Sequence, residues 1–114
     1  MIRHVRNWPS YLVHKVFTPK TEFTFRTKRG KICVPPMLMH TFKECFFESR
    51  YFFFVPKECI DKENPVIVDV GANVGYFSLF VLNELRSPRV YSYEPIGRNF
   101  SLMKRYADEL GDRR

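Results

Sequence analysis

The chain has 114 residues, of which 45% are hydrophobic and 17% aromatic, and it carries a formal net charge of +7. This length and composition fit one small globular domain and exclude an intrinsically disordered chain. No apolar run reaches the roughly 18 residues of a membrane-spanning helix, and the first 20 residues lack the pattern of a signal peptide. We therefore expect a cytoplasmic protein without a transmembrane segment.

The positive charge is concentrated in the first part of the chain. Residues 1–64 contain 12 Lys/Arg and 6 Asp/Glu, whereas residues 65–114 contain 7 and 6. The densest cluster consists of four cations, Arg26, Lys28, Arg29 and Lys31. Such a cluster attracts phosphate-bearing partners, or it is the solvated tip of a hairpin. We favour the solvated tip.

The cysteines and histidines indicate neither a disulfide framework nor a metal site. Cys33, Cys45 and Cys59 are an odd number of thiols without C-x-x-C spacing, which favours reduced cysteines. The three histidines are dispersed and have no Cys or carboxylate at metal-ligand spacing. We expect no bound metal.

The first predicted element is an apolar segment near the N-terminus. Its apolar residues are Trp8, Tyr11, Leu12, Val13, Val16 and Phe17. They either pack on the rest of the protein or lie on a membrane surface among the basic residues Arg3, Arg6 and Lys15. We favour packing, because interfacial helices usually lack an early proline such as Pro9.

A β-hairpin and a short helix follow. Residues 22–27 alternate in polarity, Lys28–Gly30 forms a turn in which glycine would supply a positive φ, and Lys31–Val34 resumes the strand. Thr41 and Glu44 have the spacing of a capping box, which predicts a helix over 42–48. Residues 51–55 fit either a buried strand or the end of that helix.

The sequence changes character near Pro65. We expect residues 1–64 to be an N-terminal extension and residues 65–114 to be a separate part of the fold. Val66–Val70 is an apolar run interrupted only by Asp69, typical of a parallel strand. A helix begins at Asn73 or Gly75 and continues to about Arg86.

A second strand and a second helix complete the pattern. The strand is predicted over 90–94, and the helix follows Pro95-Ile96-Gly97 and ends before Gly111. The predicted packing face of this helix consists of Ile96, Phe100, Met103, Ala107 and Leu110. Tyr91 and Tyr93 are expected to pack. The order β-α-β-α with short loops predicts an α/β fold with a parallel sheet.

Both predicted parallel strands end in an acid. Asp69 precedes a small-residue turn in which Gly71 and Gly75 permit unusual backbone conformations and close approach. Asp69 is expected to order the loop or to accept from a ligand ammonium group, while amides at the helix start point toward the ligand. Glu94, 19 residues beyond Gly75, is placed to accept two hydrogen bonds from a ribose diol.

The sequence of this turn fits one nucleotide-containing cofactor better than another. A dinucleotide site requires G-x-G-x-x-G, and the third glycine is missing from Gly71–Gly75. An acid directly before the turn is also unfavourable beside a pyrophosphate. It suits a ligand with an amino-acid end and a cationic sulfur, so the sequence favours S-adenosylmethionine over NAD.

These residues resemble the FkbM family of S-adenosylmethionine-dependent methyltransferases. The resemblance rests on Val68-Asp69-Val70-Gly71-Ala72-Asn73-Val74-Gly75-Tyr76-Phe77-Ser78, on Val90-Tyr91-Ser92-Tyr93-Glu94-Pro95 and on Asn99-Phe100. It implies contacts with the methionine part of the cofactor from Asp69, Gly71, Ala72, Asn73 and Gly75. It also implies that Glu94 binds the ribose. The family methylates hydroxyl oxygens on sugars, polysaccharides or secondary metabolites without a metal.

The resemblance covers only the N-terminal part of such a domain. It implies an incomplete Rossmann-like class I methyltransferase fold, made of the first two β-α units and preceded by a hairpin and helix extension. The catalytic base and acceptor pocket would belong to further strands, so we expect this chain to be inactive alone and assign no catalytic residue. We expect apolar residues in 79–85 and 100–110 to promote self-association.

Two alternatives remain open. The basic hairpin could bind single-stranded nucleic acid, with Phe23 and Phe25 stacking on bases, although no nucleic-acid-binding motif supports it. The chain could also be a non-catalytic subunit that a second polypeptide completes.

Overall fold

A computed structural model describes residues 4–48, 50–52 and 55–111 of the chain. Its helices and strands, in chain order, are α1 (Trp8–Phe17), β1 (Phe23–Arg26), β2 (Lys31–Val34), α2 (Met39–Phe46), α3 (Lys57–Ile60), β3 (Val66–Val70), α4 (Tyr76–Glu84), β4 (Arg89–Tyr93) and α5 (Gly97–Gly111). The protein is therefore a mixed α/β fold. Arg3, Phe53 and Phe54, which entered the sequence-based predictions, lie outside the described residues.

The N-terminal part is an antiparallel hairpin covered by α1. β1 and β2 pair with Phe23 opposite Val34 and Arg26 opposite Lys31, as the alternating pattern predicts. The role predicted for Gly30 is wrong, because Gly30 is not among the positive-φ glycines. A Cβ at Gly30 would instead lie 2.7 Å from Cδ2 of Leu110, so the glycine permits the close approach of α5.

The packing that we favoured for the apolar residues of α1 holds for two of the six. Tyr11 is buried, and its ring lies 5.1 Å from the ring of Phe25. Trp8 also contacts the core. The other four apolar residues are exposed: Leu12 51%, Val13 58%, Val16 73% and Phe17 77%. These exposed side chains lie opposite Tyr11, because a helix turns once every ~3.6 residues.

The helix predicted over 42–48 is shifted toward the N-terminus. A 3-10 turn at Pro36–Leu38 leads directly into α2, which begins at Met39. Thr41 therefore lies inside the helix, and the predicted capping box does not form. A second 3-10 turn covers Arg50–Phe52, so the described part of 50–55 contains no strand.

The C-terminal part contains the parallel sheet that the sequence predicts. β3 and β4 run parallel, with Val68 opposite Tyr91 and Asp69 opposite Ser92. α4 connects the two strands and is buried along most of its length. Parallel pairing brings the carboxyl ends of both strands to the same edge, which is where the acidic residues Asp69 and Glu94 lie.

One hydrophobic core joins the extension to this sheet. The ring of Phe42 on α2 meets the ring of Tyr76 on α4 at 5.3 Å, and Phe46 meets Phe80 at 5.5 Å. The hydroxyl of Tyr106 on α5 donates to the carbonyl of Cys33 on β2 at 2.9 Å. Residues 4–48 and 65–111 therefore share buried contacts.

The buried face of α5 differs from the predicted one. Met103 is buried as predicted and Leu110 packs against the core, but Ile96, Phe100 and Ala107 are exposed, and Tyr106, which was not predicted, is buried. Tyr106 was missed because its hydroxyl partners lie on β2 and α4, far away in sequence. Gly111 is the last residue of the helix and does not lie beyond its end.

The far face of the parallel sheet is exposed. Its apolar residues are Val66, Val68, Val70, Tyr91 and Tyr93, each at least half exposed. The packing role predicted for the two tyrosines is therefore wrong. The apolar residues expected to cause association through α4 are largely buried, with Leu79, Phe80, Val81 and Leu85 all in the interior. Among the described residues, no helix is long and apolar enough to cross a membrane.

Candidate functional site

The loop between β3 and α4 has a backbone that few residues adopt. Gly71, Asn73 and Gly75 have φ values of 77°, 54° and 86°, all in the left-handed region. Glycine enters this region at little cost, and asparagine is the side chain that tolerates it best. In the sequence Gly-Ala-Asn-Val-Gly, the residues that tolerate a left-handed backbone therefore stand at the three positions that adopt it.

The loop is held by the end of the neighbouring strand. The N–H groups of Gly71 and Ala72 donate to the carbonyl of Tyr93 at 2.9 and 3.0 Å. The N–H of Asn73 donates to Oε2 of Glu94 at 2.7 Å. Of the two roles predicted for Asp69, ordering the loop is performed for these amides by Tyr93 and Glu94, and the contact with a ligand ammonium group stays a prediction. These three loop amides are consequently engaged in hydrogen bonds within the protein.

Glu94 binds two loops at once. Its Oε1 accepts the N–H of Ile96 at 2.8 Å, while its Oε2 accepts the N–H of Asn73. Each carboxylate oxygen has two lone pairs, so one on each oxygen is left for another donor. Glu94 is only partly buried. The geometry therefore permits the predicted contact with a diol and adds a structural role that the sequence does not reveal.

Asp69 ends a short chain of hydrogen bonds. Ser78 Oγ donates to Asp69 Oδ2 at 2.7 Å, and Ser78 Oγ lies 2.7 Å from Ser92 Oγ. Because a hydroxyl has one proton, Ser92 donates to Ser78 and Ser78 donates to Asp69. This chain fixes the carboxylate relative to both α4 and β4.

The two glycines of the loop have different surroundings. A Cβ added to Gly71 would meet no atom within 4 Å, so the space above this residue is open. A Cβ at Gly75 would lie 2.6 Å from Cγ of Met103. Gly71 therefore borders free space that a ligand can enter, whereas Gly75 permits the contact between α4 and α5.

A cavity of about 500 Å³ opens at the carboxyl end of β3. Four of the predicted site residues line it, namely Asp69, Gly71, Ala72 and Asn73. Gly75 and Glu94 do not line this cavity. Glu94 is connected to it through the N–H of Asn73, and Gly75 is buried at the base of the loop.

The extension forms the opposite wall of the cavity, which the sequence did not reveal. The extension contributes Thr41, Glu44 and Cys45 on α2 and Tyr51 after it, and the rest of the lining comes from Val68 and Val70 on β3 and from Tyr76 and Phe77 on α4. The lining includes two carboxylates, Glu44 and Asp69, and no Lys or Arg. The only feature of the sequence that could have indicated this wall is the predicted helix that carries Glu44 and lies upstream of β3.

The pKa values of two lining residues, Cys45 and Tyr51, are raised. The pKa of the Cys45 thiol is raised to about 12, first by burial and also by Glu44 and Asp69, while a hydrogen bond with Tyr51 opposes the shift. The pKa of Tyr51 is raised first by burial and also by Cys45, Glu44 and Asp69. Both lining carboxylates therefore act on these two residues, although burial is the larger cause of the raised pKa values.

No metal centre is formed by the described part of the chain. Within residues 4–48, 50–52 and 55–111, no three His, Cys, Asp or Glu side chains are gathered as metal ligands. Cys33, Cys45 and Cys59 are free thiols.

The hairpin lacks an aromatic surface on which nucleic-acid bases could stack. Phe25 is fully buried and stacks on Phe42 at 4.3 Å. Phe23 is half-buried and contacts Tyr11. The two phenylalanines that the nucleic-acid hypothesis requires are thus occupied by the core.

Comparison of the chain with protein-family models, with curated proteins and with solved structures found no match.

Proposed function

We propose that this chain binds S-adenosylmethionine and forms the cofactor-binding part of an O-methyltransferase. The acceptor class that the FkbM resemblance implies is a hydroxyl of a sugar, polysaccharide or secondary metabolite. The proposal includes a Rossmann-like arrangement in which β3-α4 and β4-α5 are the first two units.

The observation that carries the proposal is the charge and shape of the cavity beside β3. It is bordered by Asp69, by Glu44 and by the open space above Gly71, and its lining contains no cation. A ligand with an ammonium group and a sulfonium group is complementary to that charge. A pyrophosphate would be repelled by it, which supports the choice of S-adenosylmethionine over NAD.

The residues divide the binding task. Asp69 and Glu44 hold the cationic methionine end, and Glu94 accepts ribose hydroxyls at the neighbouring strand end while it keeps the loop in place. When bound, S-adenosylmethionine supplies an electrophilic methyl group. Positioning accounts for much of the catalysis in such a transfer.

Equilibrium binding tests the proposal directly. Isothermal titration calorimetry with S-adenosylmethionine, S-adenosylhomocysteine and NAD is expected to show binding of the two adenosyl ligands and none of NAD. Binding of NAD alone, or of none of the three by a folded chain, would refute the proposal.

The exposed sheet face favours the second candidate, a subunit that another polypeptide completes. Val68 and Tyr91 lie side by side on that face and are exposed. Parallel sheets are normally covered on both faces. Affinity purification that recovers a defined partner lost on Val68→Lys substitution would support this candidate.

A further inference from the structure

The strongest unassigned feature is a basic surface beside an exposed apolar helix. A cavity of about 470 Å³ at the hairpin tip is lined by five cationic residues and no acidic one: Arg6, Arg26, Lys28, Arg29 and Lys31. The cations belong to a region of one sign, since residues 1–43 contain nine Lys/Arg and a single acid, Glu22.

This basic surface is held in a fixed position. Asn7, just before α1, donates its side-chain amide to the carbonyl of Thr24 and accepts the N–H of Arg26 at 2.8 Å. On the other side, the N–H of Arg29 donates to Asn83 on α4 at 3.3 Å. Lys28 lies 3.5 Å from Glu84, so its charge is partly balanced. These hydrogen bonds therefore fix the backbone that carries the other cations, Arg26, Arg29 and Lys31.

The apolar component is the outer face of α1, formed by Leu12, Val13, Val16 and Phe17. Arg6 and Asn7 line the basic cavity and directly precede α1, so the basic cavity lies at the N-terminal end of the helix that carries the apolar face. Pro9 does not argue against an interfacial helix, because it occupies the first turn, where proline is tolerated.

We propose that this combined surface docks on a bilayer with anionic headgroups. The basic residues would contact lipid phosphates, and the outer face of α1 would enter the interface. This combination favours lipid over nucleic acid. On the hairpin, Phe25 is fully buried and Phe23 is half-buried against Tyr11. The exposed apolar side chains of α1 are aliphatic residues and one phenylalanine at its far end.

The apolar face of the β3–β4 sheet is a poorer candidate for contact with lipid. Within the described residues each of those strands has an open edge with unpaired backbone groups. Such groups are costly in hydrocarbon, whereas the backbone of a helix is satisfied internally. The helix, and not the sheet, therefore suits the membrane.

Vesicle sedimentation of the full chain tests the proposal with two kinds of vesicle. One contains phosphatidylcholine alone, and the other contains equal parts of phosphatidylcholine and phosphatidylserine. We expect binding to the anionic vesicles and little to the neutral ones. The double variant Arg29→Gln/Lys31→Gln should weaken binding about thirtyfold. The double variant Val16→Ser/Phe17→Ser should weaken it about tenfold or more.

The matched control is Lys57→Gln/Arg105→Gln, which removes the same charge from exposed positions elsewhere. It should bind as the unmodified chain does. Equal loss in the control would mean that net charge alone drives binding, and equal binding to both vesicles would remove the role of the cations. Tight binding of single-stranded RNA that survives Val16→Ser/Phe17→Ser, with no vesicle binding, would assign the surface to nucleic acid instead. Each of these results overturns the proposal.

Discussion

The N–H of Asn73 donates to the carboxylate of Glu94 at 2.7 Å, and this bond links the loop after β3 to the end of β4. Both residues were predicted to contact the cofactor independently. The carboxylate of Glu94 is therefore one of the groups that hold the loop after β3 in its conformation. A substitution that removes this carboxylate is expected to loosen the loop as well as to remove the proposed ribose contact.

The first prediction concerns Glu94. Glu94→Ala removes the acceptor of Asn73 and Ile96 together with the proposed ribose contact. We expect the affinity for S-adenosylhomocysteine to fall about tenfold or more, because hydrogen bonds to a charged group are lost. Glu94→Gln keeps one acceptor oxygen, so its affinity for S-adenosylhomocysteine should fall less than that of Glu94→Ala. Calorimetric titration measures both, with Glu58→Ala on exposed α3 as the control. Unchanged affinity in Glu94→Ala would remove Glu94 from the site.

The second prediction separates the roles of Glu44. If its carboxylate contacts the methionine ammonium group, Glu44→Gln weakens S-adenosylmethionine and S-adenosylhomocysteine equally and leaves methylthioadenosine, which lacks that group, unchanged. We expect this pattern, with a loss of about tenfold. Fluorescence or calorimetric titrations of the three ligands distinguish it from sulfonium recognition, in which only S-adenosylmethionine is affected. If the unmodified chain binds and Glu44→Gln changes none of the affinities, the extension does not participate.

The third prediction contrasts the two loop glycines. Gly71→Ala incurs the cost of a left-handed backbone, about 1–2 kcal/mol, without a steric contact. Gly75→Ala adds a clash with Met103 and should destabilise the fold by about 2–4 kcal/mol. Urea unfolding of both variants measures the difference. Equal destabilisation would contradict the close packing of α5 against the loop.

The fourth prediction concerns association through the sheet. Val68→Lys and Tyr91→Lys place charges on the exposed apolar face and should reduce oligomers of the chain. Size-exclusion chromatography with light scattering reports the mass. Val16→Ser/Phe17→Ser serves as the comparison, because it alters the other exposed apolar face. A monodisperse monomer before any substitution would show that the sheet face does not drive association.

The fifth prediction concerns the thiols. Cys59 is exposed, whereas Cys45 is 2% exposed and its pKa is raised to about 12. At pH near 8 the raised pKa keeps the Cys45 thiol protonated, so iodoacetamide should label Cys59 first. Peptide mass spectrometry identifies the labelled residue, and the urea-unfolded chain should label both. Labelling of Cys45 as fast as Cys59 in the folded chain would contradict its burial.

The sequence predicted the elements whose formation depends on local pattern. β3 covers Val66–Val70 as predicted, because an apolar run is bounded by Pro65 and Gly71. The hairpin strands also formed where alternation placed them. The helix over Met39–Phe46 was displaced, because the preceding 3-10 turn, and not the Thr41 side chain, begins it.

What the sequence missed depends on contacts between distant residues. Tyr106 is buried through bonds to Cys33 and Tyr76, and periodicity alone cannot indicate such partners. The same limit applies to the site. Asp69 and Gly71 were predicted from one motif, whereas Glu44 lines the cavity because α2 packs against α4, and Tyr51 because its ring contacts Phe77 on α4.

The central claim is tested most directly by titrating S-adenosylhomocysteine into the nitrogen-15-labelled chain and recording proton–nitrogen correlation spectra, with NAD as the control. The account predicts that the amide peaks of Gly71, Ala72, Asn73 and Glu94 shift with S-adenosylhomocysteine and stay in place with NAD. A well-dispersed spectrum in which these four peaks remain unmoved would contradict it.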